Sequence, residues 1–373
     1  MAFAFLTPPE LRFGPGESRK AAGIAARFGT RPFLVTGGRS FESLPVAAAL
    51  STLPRMSVSG EPEVATVDEG VRLCRESGAD VVLAVGGGSV LDTAKAIAGV
   101  VTNGGSVRDY LEQVGDRKIR TSPLPFIAVP TTAGSGSEAT KNAVIRVADL
   151  KVKRSLRHDL LMPRVAIVDP ELSATASRDV AASAGLDALT HLIEGYVSTG
   201  ASGMTDAFAL PGIGLAARGL RALAGGSPDA ESMSLASLWG GIVLANAGLG
   251  AIHGLVAPLG GRCAIPHGIG CACLLVETLR ANLEALRARA PSSPALPRYG
   301  EVARALGHPT FDAAIEEFKG LRRSLGVKPL AALGVTEADV APIVKSSRGG
   351  SMRFNPVELT DGELESILRA SMA

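Results

Sequence analysis

The chain has 373 residues, with 38 Lys and Arg against 36 Asp and Glu and a formal net charge of +2. That length allows two domains with cores of their own, and so even a charge, with no Lys/Arg-rich block, argues against nucleic acid or an anionic membrane as partner. Four cysteines, none in a Cys-x-x-Cys pair, do not suggest a disulfide scaffold and point to small core packing, with a Cys/His metal site as the alternative because Cys263, Cys271 and Cys273 bracket His267.

The opening MAFAFLTPPELRFGPG has no basic stretch ahead of an apolar core, so it does not read as a secretory signal, and a cytoplasmic location is expected. From there short β-branched runs alternate with helical patterns. PFLVTGG (32–38) predicts a strand ending in glycines, and ADVVLAVGGGS (79–89) predicts a strand buried on both faces. PFIAVPTTAGSGSE (125–138) repeats the pattern and RVAIVDP (164–170) closes it. Strands separated by helices argue for a mostly parallel sheet. After Ser177 the strand signals stop and helical periodicity takes over, so the expected division is an α/β domain over 1–178 and an all-α domain over 179–373.

From Ser232 to Gly261 there is no Asp, Glu, Lys or Arg, a length that could span a bilayer. The stretch holds His253, Asn246, Pro258 and many glycines, and it reads instead as central helices of a bundle. ARAPSSPALPRYG (288–300) reads as an exposed connection. TDGELESILRASM (360–372) reads as a helix with acidic residues in its first turn.

GGGSVLDTAKAIAG (86–99) follows a buried strand directly and opens a helix, where exposed backbone N–H groups and the helix dipole favour an anion. Leu91 stands where the common dinucleotide fingerprint has its third glycine, and no Gly-Lys-Ser/Thr follows to make a P-loop. Glycines after a strand can be a plain turn, and Asp92 and Lys95 can be surface residues. PTTAGSGSEAT (130–140) adds a second hydroxyl- and glycine-rich loop at a strand end, suited to a diphosphate and a nicotinamide amide.

Asp187 and His191 stand four apart on a helical pattern, so both project from one face, in a chain with only five histidines. In so apolar a segment a carboxylate needs a partner, which a divalent cation supplies; a plain salt bridge is the bland alternative. His253 and His267 lie in similarly apolar segments, AIHGLVAPLGG and AIPHGIGCACLL, where a satisfied core histidine is the alternative.

Taken together, GGGSVLDTAKA, PTTAGSGSEAT, GLDALTHLIEGY, HGLVAPLG and PHGIGC resemble the iron-containing (group III) alcohol dehydrogenase family over essentially the whole chain. The resemblance implies a dinucleotide-binding α/β domain followed by a helical domain, as in dehydroquinate-synthase-like proteins. It implies NAD(P)-linked hydride transfer between the nicotinamide and a small alcohol, aldehyde or ketone. Asp187, His191, His253 and His267 would hold the metal, Fe2+ first and Zn2+ second. Gly87, Gly88, Ser89 and Asp92 would meet the diphosphate and ribose, and Thr131, Thr132 and Ser135 the nicotinamide side. Asn142 and Lys153 would lie beside substrate and cofactor ribose. A homodimer is implied, with amino-terminal strands paired.

Two departures from the family pattern stand out. Ala257 replaces a histidine that many members carry four residues after the third ligand as a proton relay. Gly37 replaces an Asp that in NAD-preferring members bonds the ribose 2′-hydroxyl; with Gly37 and neighbouring Arg39, acceptance of NADPH is expected. The rival readings are a dehydroquinate-synthase-like lyase, a maleylacetate-reductase-type enzyme and a non-catalytic binding protein on the same scaffold.

Overall fold

The computed structural model describes residues 2–373, apart from the side chains of Arg39 and Ser40. Two compact units emerge: Leu6–Ala176, and Ser177–Ala373 together with residues 2–5.

In the first unit, six parallel strands form one sheet: β1 (Glu10–Phe13), β2 (Pro32–Gly37), β3 (Arg55–Val58), β4 (Val81–Gly86), β5 (Phe126–Pro130) and, after a separate hairpin, β8 (Val165–Val168). The hairpin is the antiparallel pair β6 (Asn142–Val147) and β7 (Val152–Arg157), whose signal the sequence reading missed. Helices α1 (Ala21–Ala25), α2 (Ala47–Leu50), α3 (Val64–Glu76), α4 (Gly88–Asn103) and α5 (Pro170–Ser173) complete the unit.

The strands are apolar at every position because both faces of the sheet are covered. Phe33, Val35, Val82, Ala84 and Ala128 pack with α3 and α4 on one side. Leu34, Val81, Leu83, Val85 and Ile127 pack with α1 and α2 on the other. Along each strand, consecutive residues alternate between the two cores, as a pleat of period two requires.

The strand order β1-β8-β5-β4-β2-β3 fixes where a ligand fits. From β2 the chain moves outward to β3, then returns across β2 to form β4 and continues the other way. Connections leave the neighbouring strands β2 and β4 in opposite directions, which opens a crevice at their carboxyl ends. Gly37 ends β2 and Gly87 follows β4, so both fall at that edge.

The second unit is helical: α6 (Arg178–Val197), α7 (Gly203–Ala224), α8 (Ala230–Ala247), α9 (Ala251–Cys263), α10 (His267–Arg289), α11 (Ala295–Ala305), α12 (Phe311–Ser324), α13 (Glu337–Ser347) and α14 (Asp361–Ser371). In α6, every residue from Gly185 to Val197 is buried, because α7, α8 and α10 pack around it. The uncharged stretch forms α8 and α9. No single helix among the described residues is long and apolar enough to cross a membrane, and α8 and α9 meet at a bend of 101°. The connection expected over 288–300 is shorter than its composition suggested, since α10 runs to Arg289 and α11 starts at Ala295. Thr360 starts α14 with a reciprocal capping box to Glu363.

Candidate metal centre and cofactor loop

Helix α6 carries Asp187 and His191 one turn apart, α9 carries His253 in its first turn, and α10 opens on His267. Their packing gathers three imidazole Nε2 atoms around one carboxylate oxygen. From Asp187 Oδ1, His253 Nε2 is 3.4 Å away, His191 Nε2 3.7 Å and His267 Nε2 3.8 Å. These separations exceed the usual N–H···O hydrogen-bond length. They match the edges of a ligand polyhedron instead, since metal bonds of about 2.1 Å at tetrahedral angles put donors ~3.4 Å apart. The rings are layered, with His191 on His253 at 4.6 Å between centroids and His253 on His267 at 5.3 Å.

The electrostatics fit a cation. Burial alone would raise the Asp187 carboxyl, but positive charge on His191, His267 and His253 outweighs it and holds the group well below the usual carboxylate range. Asp187, His191 and His253 keep at most 6 % of their side chains exposed, whereas His267 keeps 39 %. The cluster therefore opens to solvent past His267.

Glu194, which the sequence reading did not single out, sets the orientation of His253. Its Oε2 accepts from His253 Nδ1 at 2.6 Å, which keeps a proton on Nδ1 and turns Nε2 toward Asp187 as the atom a cation would engage. The same carboxylate receives the backbone N–H groups of Ile252 (2.7 Å) and His253 (3.4 Å), and Asn355 Oδ1 receives that of Ala251 (3.0 Å). The amino end of α9, which favours an anion, is thus closed by the group that aligns the imidazole. Gly250 makes this approach possible, because a Cβ there would lie 2.7 Å from Asn355 Oδ1 and 2.8 Å from Glu194 Oε1. The sequence held a signal for Glu194: with Asp187 and His191 it forms an i, i+4, i+7 stripe on α6.

Cys271 is the second addition. One turn after His267 on α10, it places Sγ 3.4 Å from Asp187 Oδ1 and 3.6 Å from His253 Nε2. Single donors of Asp187, His253, His267 and Cys271 all lie within 4.8 Å of one another. Cys271 is buried, as expected of a core cysteine, and its sulfur also faces the cluster. Its thiol is pushed up to about 12, by burial first and then by the charges of Asp187 and Glu194, with His253 opposing. Cys273 faces away from the cluster and donates to Lys328 O. Ala257 stands partly exposed one turn after His253.

In the α/β unit, β4 runs through Gly87 into α4, and no side chain among the described residues caps that helix start. Gly87, Gly88 and Ser89 are partly accessible, as are Thr131, Thr132 and Ser135 of the second loop. The loops interlock: Thr131 N donates to Gly86 O, and a Cβ on Gly88 would come within 2.6 Å of Ser135 Oγ. The result is a backbone cradle flanked by hydroxyls at a helix amino end, which suits a diphosphate.

Asp92 is half-buried beside this cradle. Its Oδ1 accepts from Ser137 Oγ (2.6 Å) and its Oδ2 from Val144 N (2.8 Å), so it braces the second loop against β6. Lys95 is not at the surface; fully buried, it donates to Ser137 O, Ser137 Oγ, Thr140 Oγ1 and Asn142 O at 2.8–3.1 Å. Burial lowers Lys95 to about 8 despite the opposing charges of Asp92 and Glu138, and raises Glu138 to about 7. Asn142 and Lys153 share a face of the hairpin, since Arg146 pairs with Lys153, but four residues of strand, roughly 14 Å, separate them along it. Lys153 is paired with Glu61, and Asn142 Oδ1 is buried without a hydrogen-bond partner among the described residues. Gly37 is partly accessible; the side chain of Arg39 lies outside the described residues.

A doubly wound unit with a diphosphate cradle, together with a helical unit that gathers Asp and His donors, defines a metal-dependent nicotinamide oxidoreductase. Residues 8–170 match the family described as iron-containing alcohol dehydrogenase, and residues 181–372 match the Fe-containing alcohol dehydrogenase family, C-terminal. The chain belongs to this family. It is an oxidoreductase acting on CH–OH groups, with a nicotinamide cofactor and a divalent cation, and the lyase and non-catalytic readings are set aside. Alcohol dehydrogenase 4 of Schizosaccharomyces pombe is 34% identical over 322 residues, covering 84% of this chain and 74% of that protein. Lactaldehyde reductase of Escherichia coli K12 is 33% identical over 315 residues, 81% of this chain and 79% of that protein. Among solved structures, sulfoacetaldehyde reductase from Bifidobacterium kashiwanohense, in complex with NAD+, superposes with a TM-score of 0.87 at 30% identity, over 100% of this chain and 99% of that one.

Proposed function

We propose that the chain interconverts a small alcohol and its aldehyde or ketone with Asp187, His191, His253 and His267 holding the cation. The observation that carries this reading is the convergence of three imidazole Nε2 atoms, from three helices, on Asp187 Oδ1. A cation held there supplies a Lewis acid that favours negative charge on an oxygen placed beside it. Glu194 keeps His253 in one tautomer and one orientation throughout. Burial of the remaining donors leaves the His267 side as the approach for a substrate. With Ala257 in the relay position, no imidazole stands one turn after His253, so the alcohol proton leaves through water or the cofactor ribose.

The cofactor diphosphate is assigned to Gly87, Gly88 and Ser89, with Thr131, Thr132 and Ser135 alongside the nicotinamide. Asn142, with its unsatisfied Oδ1, is kept as a ligand contact, and Lys153 is assigned to the cofactor ribose less directly, through release from Glu61. Gly37 at the end of β2 presents no carboxylate to a 2′-phosphate, which favours acceptance of NADPH. Among the described residues β1 is an edge strand paired with β8 alone, and an edge strand of this kind supports pairing with a second copy as a homodimer.

Two experiments test this reading. Aldehydes screened against NADH and NADPH should give activity with NADPH at least comparable to NADH; a tenfold or greater preference for NADH contradicts the Gly37 argument. His253→Ala should abolish turnover while leaving nicotinamide binding, followed by cofactor fluorescence, largely intact. Near-normal activity in that variant would remove the cation from the reaction.

A further inference from the structure

We propose that Cys271 is itself a ligand of the cation, which makes the centre of this chain a mixed thiolate, imidazole and carboxylate site selective for zinc. The inference rests on the Asp/His site above and goes beyond it by adding a donor of a different chemical class. Three observations carry it.

The first is distance. A zinc–sulfur bond of about 2.3 Å beside zinc–nitrogen and zinc–oxygen bonds of about 2.0–2.1 Å puts sulfur ~3.1–3.8 Å from its neighbouring donors at the roughly 90–120° angles of a five-donor site. Cys271 Sγ lies 3.6 Å from His253 Nε2 and 3.4 Å from Asp187 Oδ1. Second, Cys271 belongs with Asp187, His253 and His267 to the set of donors that lie within 4.8 Å of one another. Third, α10 fixes the placement. His267 and Cys271 stand four apart on one helical face, so the helix that presents the imidazole also presents the sulfur. Cys271 is fully buried, so the sulfur sits inside the cluster rather than at its rim.

Without a cation the thiol donates to Asp187 Oδ1. On coordination that proton passes to solvent, and sulfur and carboxylate then share the metal instead of a hydrogen. A thiolate is a soft donor, which favours zinc over harder divalent ions that carboxylate and imidazole alone hold comparably.

X-ray absorption of the full-length protein loaded with zinc tests this directly. A sulfur scatterer at about 2.3 Å is expected beside the nitrogen and oxygen shell, absent in Cys271→Ser, which still binds zinc. Zinc affinity in that variant should fall by about 10–100-fold, an effect on the order of that seen when groups supporting a metal site are removed, while Mn2+ affinity changes little. Should Cys271→Ser not fold, the variant with Cys74, Cys263 and Cys273 all replaced by Ser must keep the sulfur shell. A wild-type spectrum with nitrogen and oxygen only overturns the thiolate ligand but leaves the Asp/His centre standing. Sulfur that persists in Cys271→Ser assigns it to another cysteine and overturns the proposal. Failure of the wild type to bind zinc, iron or manganese removes the Asp/His centre and this inference together.

Discussion

The two units build their sites from opposite materials. In Leu6–Ala176 the cradle is backbone: glycines and the start of α4 present N–H groups, and the charged residues beneath, buried Lys95 and Glu138 with half-buried Asp92, act as braces. In the helical unit the backbone is closed off within α6, α9 and α10, and side chains alone converge. A backbone site tolerates change in most side chains but not an added Cβ at its closest approach. A side-chain site tolerates backbone change but not loss of a donor. Each unit should accordingly fail in its own way, and substitutions can separate the two.

The largest effect is expected from the buried brace of the first unit. Lys95→Met removes a donor to four buried acceptors and leaves Asp92 and Glu138 without their cation. Breaking such a network by removing one partner costs about 3–5 kcal/mol. Urea unfolding should show a loss of that order. A loss below about 1 kcal/mol, the scale of an exposed ion pair, would mean Lys95 does not hold the second loop.

Glu138 sharpens the same point through pH. In the fold it keeps its proton to about pH 7, against an ordinary value of 4.5. Between those values the folded chain binds the extra proton, so this group makes stability fall as pH rises through that window. Glu138→Gln has no proton to lose. Relative to wild type it should gain up to ~3 kcal/mol above pH 7, from 1.36 kcal/mol per pKa unit, and the gain should shrink toward pH 4.5. Melting temperatures at a series of pH values show whether the two curves diverge upward as described.

The helical unit should break without unfolding. Glu194→Gln keeps the volume and an acceptor for Ile252 N but loses the anion that fixes the His253 proton on Nδ1. Metal affinity should fall by about 10–100-fold, with nicotinamide binding unchanged. Equal weakening of both would mean that Glu194 acts through general stability.

The mildest break is Gly88→Ala, whose Cβ would press to 2.6 Å of Ser135 Oγ and crowd the cradle. Cofactor affinity should drop by about tenfold, or ~1.4 kcal/mol, while metal content stays at the wild-type level. Unchanged cofactor affinity would place the diphosphate elsewhere.

The same contrast explains what could be read from sequence. Backbone sites announce themselves in local order, so GGGS after VVLAV was legible as a strand, a turn and a helix start. The four donors Asp187, His191, His253 and His267 were legible as rare polar residues in apolar segments, although their convergence came from the family resemblance rather than from spacing. Lys95 was misread as a possible surface residue because a charged residue one turn into a helix looks exposed until β6 and the second loop close over it. The β6–β7 hairpin was missed because VKRSLR carries three basic residues and shows only weak alternation. Cys271 and Glu194 gave helical-spacing signals, i+4 from His267 and i+3 from His191, whose meaning depended on which face the neighbouring helices cover.

Metal analysis of the purified chain beside its Asp187→Asn variant tests the central claim most directly. One divalent cation per wild-type chain is predicted, with the variant nearly empty yet still folded and still binding nicotinamide cofactor. An Asp187→Asn protein that retains its metal in full would show that the carboxylate at the middle of the three imidazoles does not hold it.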